Sequence, residues 1–140
     1  MLSDKLKQLT YERANRLCEY CKSPANISSQ PFVVEHIFPK SKGGESIQEN
    51  TALSCQGCNN YKYNKTTGID GLTGKEAALF NPRKQNWSAH FAWSNDTTEI
   101  IGLTTTGRVT SDVLKLNRIE LRNLRRLLTN AGKHPPEIDE

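Results

Sequence analysis

The chain has four cysteines, arranged as Cys18-x-x-Cys21 and Cys55-x-x-Cys58, and between the pairs lie Glu35-His36 and Asn50, with Asn59 directly after the last thiol. Each short turn can present two thiolates on one side of the backbone, so two such turns can clamp one tetrahedral ion. Zinc is the metal that four thiolates suit. Two disulfides are the other reading of these pairs. The opening Met1-Leu-Ser-Asp-Lys5 carries no apolar signal segment, so a cytoplasmic location is expected, and in a reducing cytosol such pairs more often hold metal. A thiol redox switch is a third and weaker reading.

The residues between the pairs point to phosphodiester hydrolysis. That reaction needs an activated water, a cation against the charge that builds on the phosphate, and a device that holds the scissile group in line. His36 titrates near neutrality, so its unprotonated ring can take a proton from water. Glu35 and Asn59 offer oxygen ligands for a second ion distinct from the zinc. One carboxylate, one amide oxygen and waters make a hard donor set, which suits Mg²⁺ or Mn²⁺. Adjacent strand residues face opposite ways, so Glu35 and His36 share a site only if the strand ends or bulges there.

The elements that must position these groups follow from pattern. Residues 4–17 read as a helix with a break near Thr10. Phe32-Val33-Val34 reads as a strand ending at Glu35-His36-Ile37 before Pro39. Residues 39–49, with Gly43-Gly44 in the middle, read as a loop, and Thr51-Ala52-Leu53 as a second strand. A helix starting near Cys58 carries Asn59, Asn60, Lys62 and Lys65 and ends before Gly68. After a Gly-rich connector over 68–74, residues 89–93 and 99–103 read as a hairpin about Asn95-Asp96. A helix from about Gly107 shows Val109, Val113 and Leu116 at helical spacing. A last helix opens with Asn117 and Glu120 as a capping box and buries Leu121, Leu124 and Leu128.

Composition limits the possibilities without choosing among them. The chain's 140 residues allow one compact domain with a modest core. The hydrophobic share is 35%, so a structural zinc is a useful supplement, worth on the order of 10 to 16 kcal/mol in small zinc peptides. No apolar run reaches membrane-span length, and no membrane partner is expected. Nineteen Lys and Arg against fifteen Asp and Glu give a net charge of +4, with an acidic tail after a more basic body. This weakly favours an anionic partner.

The run Val34-Glu35-His36-Ile37-Phe38-Pro39-Lys40-Ser41-Lys42-Gly43-Gly44, followed by Asn50-Thr51-Ala52-Leu53-Ser54-Cys55-Gln56-Gly57-Cys58-Asn59-Asn60-Tyr61-Lys62, resembles the signature of the HNH endonucleases in their four-cysteine branch. The resemblance covers about residues 11–66. It implies a ββα-metal fold, also called the His-Me finger. On that likeness His36 falls on the general base, Glu35 on the acidic metal ligand, Asn59 on the third signature position, which binds metal, and Asn50 on the Asn that braces the loop. Lys62 matches a basic residue that touches phosphate. The chain has Glu where Asp is commoner and Asn where many members have His, and Asn60 competes with Asn59 for the ligand role. Residues 79–83, 87–91 and 102–108 are similar to a C-terminal extension of many bacterial members.

The reading is therefore a single α+β domain over 1–140. A small ββα-metal core, about 11–66, is stapled by a four-cysteine zinc site; an extension of hairpin and helices spans about 67–132, and an acidic tail spans 133–140. The expected function is metal-dependent hydrolysis of DNA, double-stranded by preference, leaving 5′-phosphate and 3′-hydroxyl ends as the resemblance implies. The alternative is a zinc-stabilised nucleic-acid-binding module without catalysis. Lys40, Lys42, Lys62 and Lys65 are the expected phosphate contacts. Arg118, Arg122 and Arg125, with Arg126 beside them, read as a solvated helix face first and as a phosphate-tracking surface second. His90 reads as packing or groove lining, and His134 as solvated.

Overall fold

A computed structural model describes residues 2–138 and 140. It divides the chain into two compact units, Met1–Thr66 with Asn81–Lys84, and Thr67–Phe80 with Gln85–Glu140. The architecture mixes helices with three two-stranded antiparallel sheets among the described residues. None of the described helices is long and apolar enough to cross a membrane.

In the first unit, α1 spans Asp4–Arg13. Ser3 caps it by accepting from the Leu6 amide at 3.1 Å, and Asp4 and Arg13 complement the helix dipole at its two ends. The helix runs unbroken through Thr10, whose buried hydroxyl bonds back to the Leu6 carbonyl at 2.8 Å and meets Thr51 Oγ1 at 3.1 Å. A β-branched residue that looks like a breaker in sequence is thus spent on packing α1 against the sheet. Asn15 and Arg16, both at positive φ, end the helix. β1 (Val33–His36) and β2 (Thr51–Ser54) pair in regular antiparallel register, Glu35 opposite Ala52 and His36 opposite Thr51. All four residues of β2 are buried. The chain passes directly from β2 into α2 (Gln56–Lys62), with Cys55 at the N-cap.

The second unit holds a hairpin where the sequence reads as a connector: β3 (Thr67–Ile69) pairs with β4 (Glu76–Ala78). Strands of three residues, one of them with a central Gly at Gly68, carry too little alternation to be seen. A short helix α3 (Trp87–His90) precedes β5 (Phe91–Trp93), which pairs with β6 (Ile100–Gly102). Ala89 and His90 are therefore helical, not strand. α4 (Thr105–Leu114) is capped by Thr104, whose hydroxyl accepts from the Gly107 amide at 3.0 Å. Gly107 is required there, since a Cβ would sit 2.1 Å from the His90 carbonyl oxygen.

α5 (Ile119–Asn130) begins after Arg118, which makes no side-chain cap. The expected capping box is absent because Asn117 is used elsewhere: its amide group bonds both the N–H and the carbonyl of Ile100, at 2.7 and 2.9 Å. Leu121 and Leu128 are buried, as expected, while Leu124 is half-buried. Arg125 departs from the solvated row. It is 3% exposed, lies over the Trp93 ring, and donates to the Thr98 and Leu116 carbonyls at 3.0 and 2.8 Å.

Candidate functional site

The cysteines converge. Cys18 and Cys21 form one tight turn, in which the Cys21 amide donates to Cys18 Sγ at 3.4 Å and the Lys22 amide to the Cys18 carbonyl at 2.9 Å. Cys55 and Cys58 repeat the arrangement at the start of α2, with the Cys58 amide on Cys55 Sγ at 3.4 Å. The four sulfurs lie within 4.8 Å of one another, and Cys21 and Cys55 are 3.7 Å apart. A tetrahedral zinc at about 2.3 Å from each sulfur needs edges of about 3.8 Å, so the cluster fits that ion. None of the four is in a disulfide. Burial raises the Cys18 thiol, while hydrogen bonds from Cys18, Cys21 and Cys58 drive Cys55 down. A cation would resolve that asymmetry by taking all four as thiolates.

Beside this cluster the end of β1 presents His36 half-exposed, with Nε2 at 2.9 Å from Ser46 Oγ. Partial burial lowers its pKa below the ordinary histidine value, and the positive charges of Lys40 and Lys62 add to the effect. The ring is therefore neutral at neutral pH. Asn50 grips the loop that follows: its Oδ1 accepts from the Phe38 amide at 2.8 Å, and its Nδ2 donates to the carbonyls of Phe38 and Glu45 at 3.0 and 2.9 Å. Gly44 makes this closure possible, because a Cβ there would lie 1.8 Å from the Phe38 carbonyl oxygen.

Glu35 points the other way. It is 8% exposed. Its Oε2 accepts from the Tyr20 hydroxyl and its Oε1 lies 3.0 Å from Lys62 Nζ. Lys62 itself is only 2% exposed and also donates to the carbonyls of His36 and Ile37, at 3.3 and 2.9 Å. Lys62 is thus no phosphate contact: the helix that carries it turns it inward, and its three donors are spent inside the protein. Burial raises the pKa of Glu35, while Lys62 and the hydroxyl of Tyr20 oppose the rise.

An open cleft of about 430 Å³ is lined by Glu35, His36, Lys40, Asn59, Tyr63 and neighbouring residues. As a site for Mg²⁺ or Mn²⁺ its donor set does not fit. The one carboxylate is already neutralised by an ammonium, leaving the half-buried Asn59 amide as the other expected ligand. Lys40, Lys42 and Lys65 are exposed, and Asn60 is exposed as well.

Several contributors escape a reading of the sequence. Ser46 lies in a loop stretch with no motif. Tyr20 and Glu19 are the variable residues between two cysteines, yet Tyr20 is fully buried and Glu19 Oε2 accepts from the Leu53 amide at 2.8 Å while pairing with Arg83. Tyr63, at φ 49° and 75% exposed, borders the same cleft as His36. His90 and His134 both serve packing. His90 Nδ1 meets Thr104 Oγ1 at 2.6 Å. His134 is not solvated: it packs edge-on to Trp93, and its Nε2 lies 2.9 Å from the Thr97 carbonyl oxygen.

Residues 18–65 match the family model of the HNH endonucleases, and all four cysteines lie in that segment. No curated protein and no solved structure matches the chain. An HNH segment indicates a nuclease or nucleic-acid-binding function, with a nucleic acid as partner.

Proposed function

We propose, from the HNH endonuclease segment at residues 18–65, that the protein hydrolyses phosphodiester bonds of DNA with His36 as general base, on a ββα core pinned by a zinc held between four thiolates. The observation that carries this reading is a neutral imidazole, half open to a cleft, at the end of a strand whose following loop is fixed by Asn50. Nε2 lies 2.9 Å from Ser46 Oγ, and the tautomer with its proton on Nε2 would donate there and leave the Nδ1 lone pair as the acceptor. Water gives a proton to the imidazole as its oxygen attacks phosphorus, the bond to the 3′ oxygen breaks, and that oxygen takes a proton from solvent water, leaving a 5′-phosphate and a 3′-hydroxyl. Cys18, Cys21, Cys55 and Cys58 would hold the zinc, which supplies folding energy and no chemistry. Lys40, Lys42 and Lys65 would track the phosphate backbone. Tyr63, exposed at the cleft, would stack on a base.

A binding module without cleavage is favoured by one observation, the engagement of Glu35 by Lys62. Supercoiled plasmid and single-stranded DNA and RNA, incubated with the zinc-loaded protein over a Mg²⁺ and Mn²⁺ series, decide between the two. Cleavage that persists in His36→Ala at the wild-type rate would remove the base assignment; retarded DNA without cleavage at any metal concentration would leave the binding module.

A further inference from the structure

We infer that Tyr20, Glu35 and Lys62 form a buried clamp that positions His36, with Glu35 acting as a positioning carboxylate and not as a ligand of a catalytic cation. The inference rests on the reading of His36 as the base.

Strand geometry is the first support. β1 is regular through His36, with Glu35 and His36 in successive register positions opposite Ala52 and Thr51. Successive side chains on such a strand face opposite sides. The side facing inward is that of Glu35, which is buried, while His36 is half-exposed. Nothing in the pairing turns the carboxylate toward the imidazole's side.

The second support is where the donors go. An ammonium has three N–H groups, and Lys62 spends them on Glu35 Oε1, the His36 carbonyl and the Ile37 carbonyl. Asn50 meets the next stretch of the same backbone: its main-chain carbonyl accepts from the Ile37 amide at 2.9 Å, and its side chain bonds both polar groups of Phe38. Lys62 from α2 and Asn50 from the loop therefore hold consecutive peptide groups at the point where His36 leaves the strand. Glu35 keeps the buried ammonium neutralised. The hydroxyl of Tyr20 occupies its other oxygen, and Tyr20 is anchored between Cys18 and Cys21 in the metal-binding turn. A divalent cation at Glu35 would have to approach to about 2.1 Å an oxygen that already faces an ammonium 3.0 Å away.

The test uses full-length, zinc-loaded Glu35→Gln, Lys62→Met and Tyr20→Phe proteins. Cleavage is measured against Mg²⁺ concentration, and the His36 ring titration is followed by NMR without DNA or Mg²⁺. We expect Lys62→Met to lower kcat about 10- to 100-fold, the loss that a misplaced reacting group brings. KM for DNA and its salt dependence should stay unchanged. In the same variant the titration midpoint rises with the loss of the Lys62 charge alone, so the clamp is read from the ring resonances at high pH, where the ring is neutral, and these should move. Glu35→Gln should lower kcat without changing the half-saturating Mg²⁺ concentration, and Tyr20→Phe, which keeps the packing, should show the same pattern more weakly. A rise in half-saturating Mg²⁺ for Glu35→Gln, with activity restored at high metal, would overturn the clamp and make Glu35 a ligand. Unmoved His36 resonances in folded Lys62→Met would overturn it as well, and if Lys62→Met does not fold, the same result in Tyr20→Phe would do so. The neutral-ring resonances, in Lys62→Met and in the charge-preserving Tyr20→Phe, read the clamp even in a protein that does not cut, so failure of the base assignment is separable from failure of the clamp.

Discussion

Both compact units bury charged side chains, and they use them differently. In the second unit the buried charges among the described residues, Asp70 and Arg125, make structural bonds. Asp70, in the β3–β4 turn, takes a two-pronged bond from Arg108 of α4 at 2.9 and 3.0 Å and further bonds from Thr73 and the Leu72 amide. Arg125 of α5 is spent on carbonyls. In the first unit Lys62 and Glu35 are equally buried, yet the backbone they hold belongs to an imidazole that stays half open to a cleft. A buried ion pair or a shifted pKa therefore does not mark a site by itself. The distinguishing feature is an exposed titratable neighbour held in place by the buried groups.

The largest break in this comparison comes from removing metal. We expect elemental analysis to find one zinc per chain. Stripping it with a strong chelator, or introducing Cys55→Ser, should unfold the first unit, since such sites contribute on the order of 10 kcal/mol. Hydrogen exchange at the amides of β1 and β2 reports the loss; full protection after metal removal would show that the four thiols are not a structural site. Next in size is His36→Ala. It should leave zinc content and DNA affinity intact and lower cleavage by about 10² to 10⁴, the usual contribution of a positioned base. A single-turnover plasmid assay measures it.

Arg125→Met carries the comparison into the second unit. The Thr98 and Leu116 carbonyls lose a buried charged donor, at a cost of about 2 to 4 kcal/mol in denaturant unfolding. Cleavage per folded molecule should be unchanged, because the groups Arg125 holds, the Thr98 and Leu116 carbonyls and the Trp93 ring, are none of the residues of the candidate site. A matching loss of kcat in Arg125→Met would erase the distinction between the two uses of buried charge.

Much of the first unit was legible from residue type alone. The cysteine spacing determines which thiols converge, and the β-branched run before Glu35-His36 determines where the strand lies. Asn50, placed among loop residues, is the kind of side chain that satisfies backbone groups. What could not be read was direction. Lys62 and Lys65 look alike in sequence, two lysines of one expected helix, but α2 ends at Lys62, which it turns inward, and Lys65 lies beyond the helix in water. The same holds for Arg125 against Arg126, one residue apart and on opposite sides of burial. Asn117 was misread for a related reason. A cap and a hairpin clasp draw on the same amide, and only the fold determines which partner is nearer.

That difference in direction gives a smaller, graded effect. Replacing Lys40, Lys42 or Lys65 singly by Met should each reduce the slope of log affinity against log salt by about one, as one lost phosphate contact requires. Lys62→Met should leave the slope as it is. Fluorescence anisotropy with a labelled duplex over a salt series measures both, and a flattened slope in Lys62→Met would return that lysine to the surface.

The smallest expected effect concerns proton binding at His36. Burial, aided by the charges of Lys40 and Lys62, holds its folded-state pKa below the ordinary value of about 6.5. A base works unprotonated, so kcat should be level through neutrality and fall only on the acid side of that value. For stability the sign is fixed by which state binds the proton more readily. The unfolded chain does, so the contribution of His36 is fully present above about pH 6.5 and is lost as pH falls from there through the folded-state pKa. Lys40→Met removes one of the charges that oppose protonation and should raise the His36 midpoint, moving the acid limb of kcat upward by the same amount. Ring NMR on the free protein gives the midpoint directly. A wild-type midpoint above the ordinary histidine value, or no upward movement in Lys40→Met, would mean that the imidazole is not in the surroundings described and that its fitness as a base has another cause.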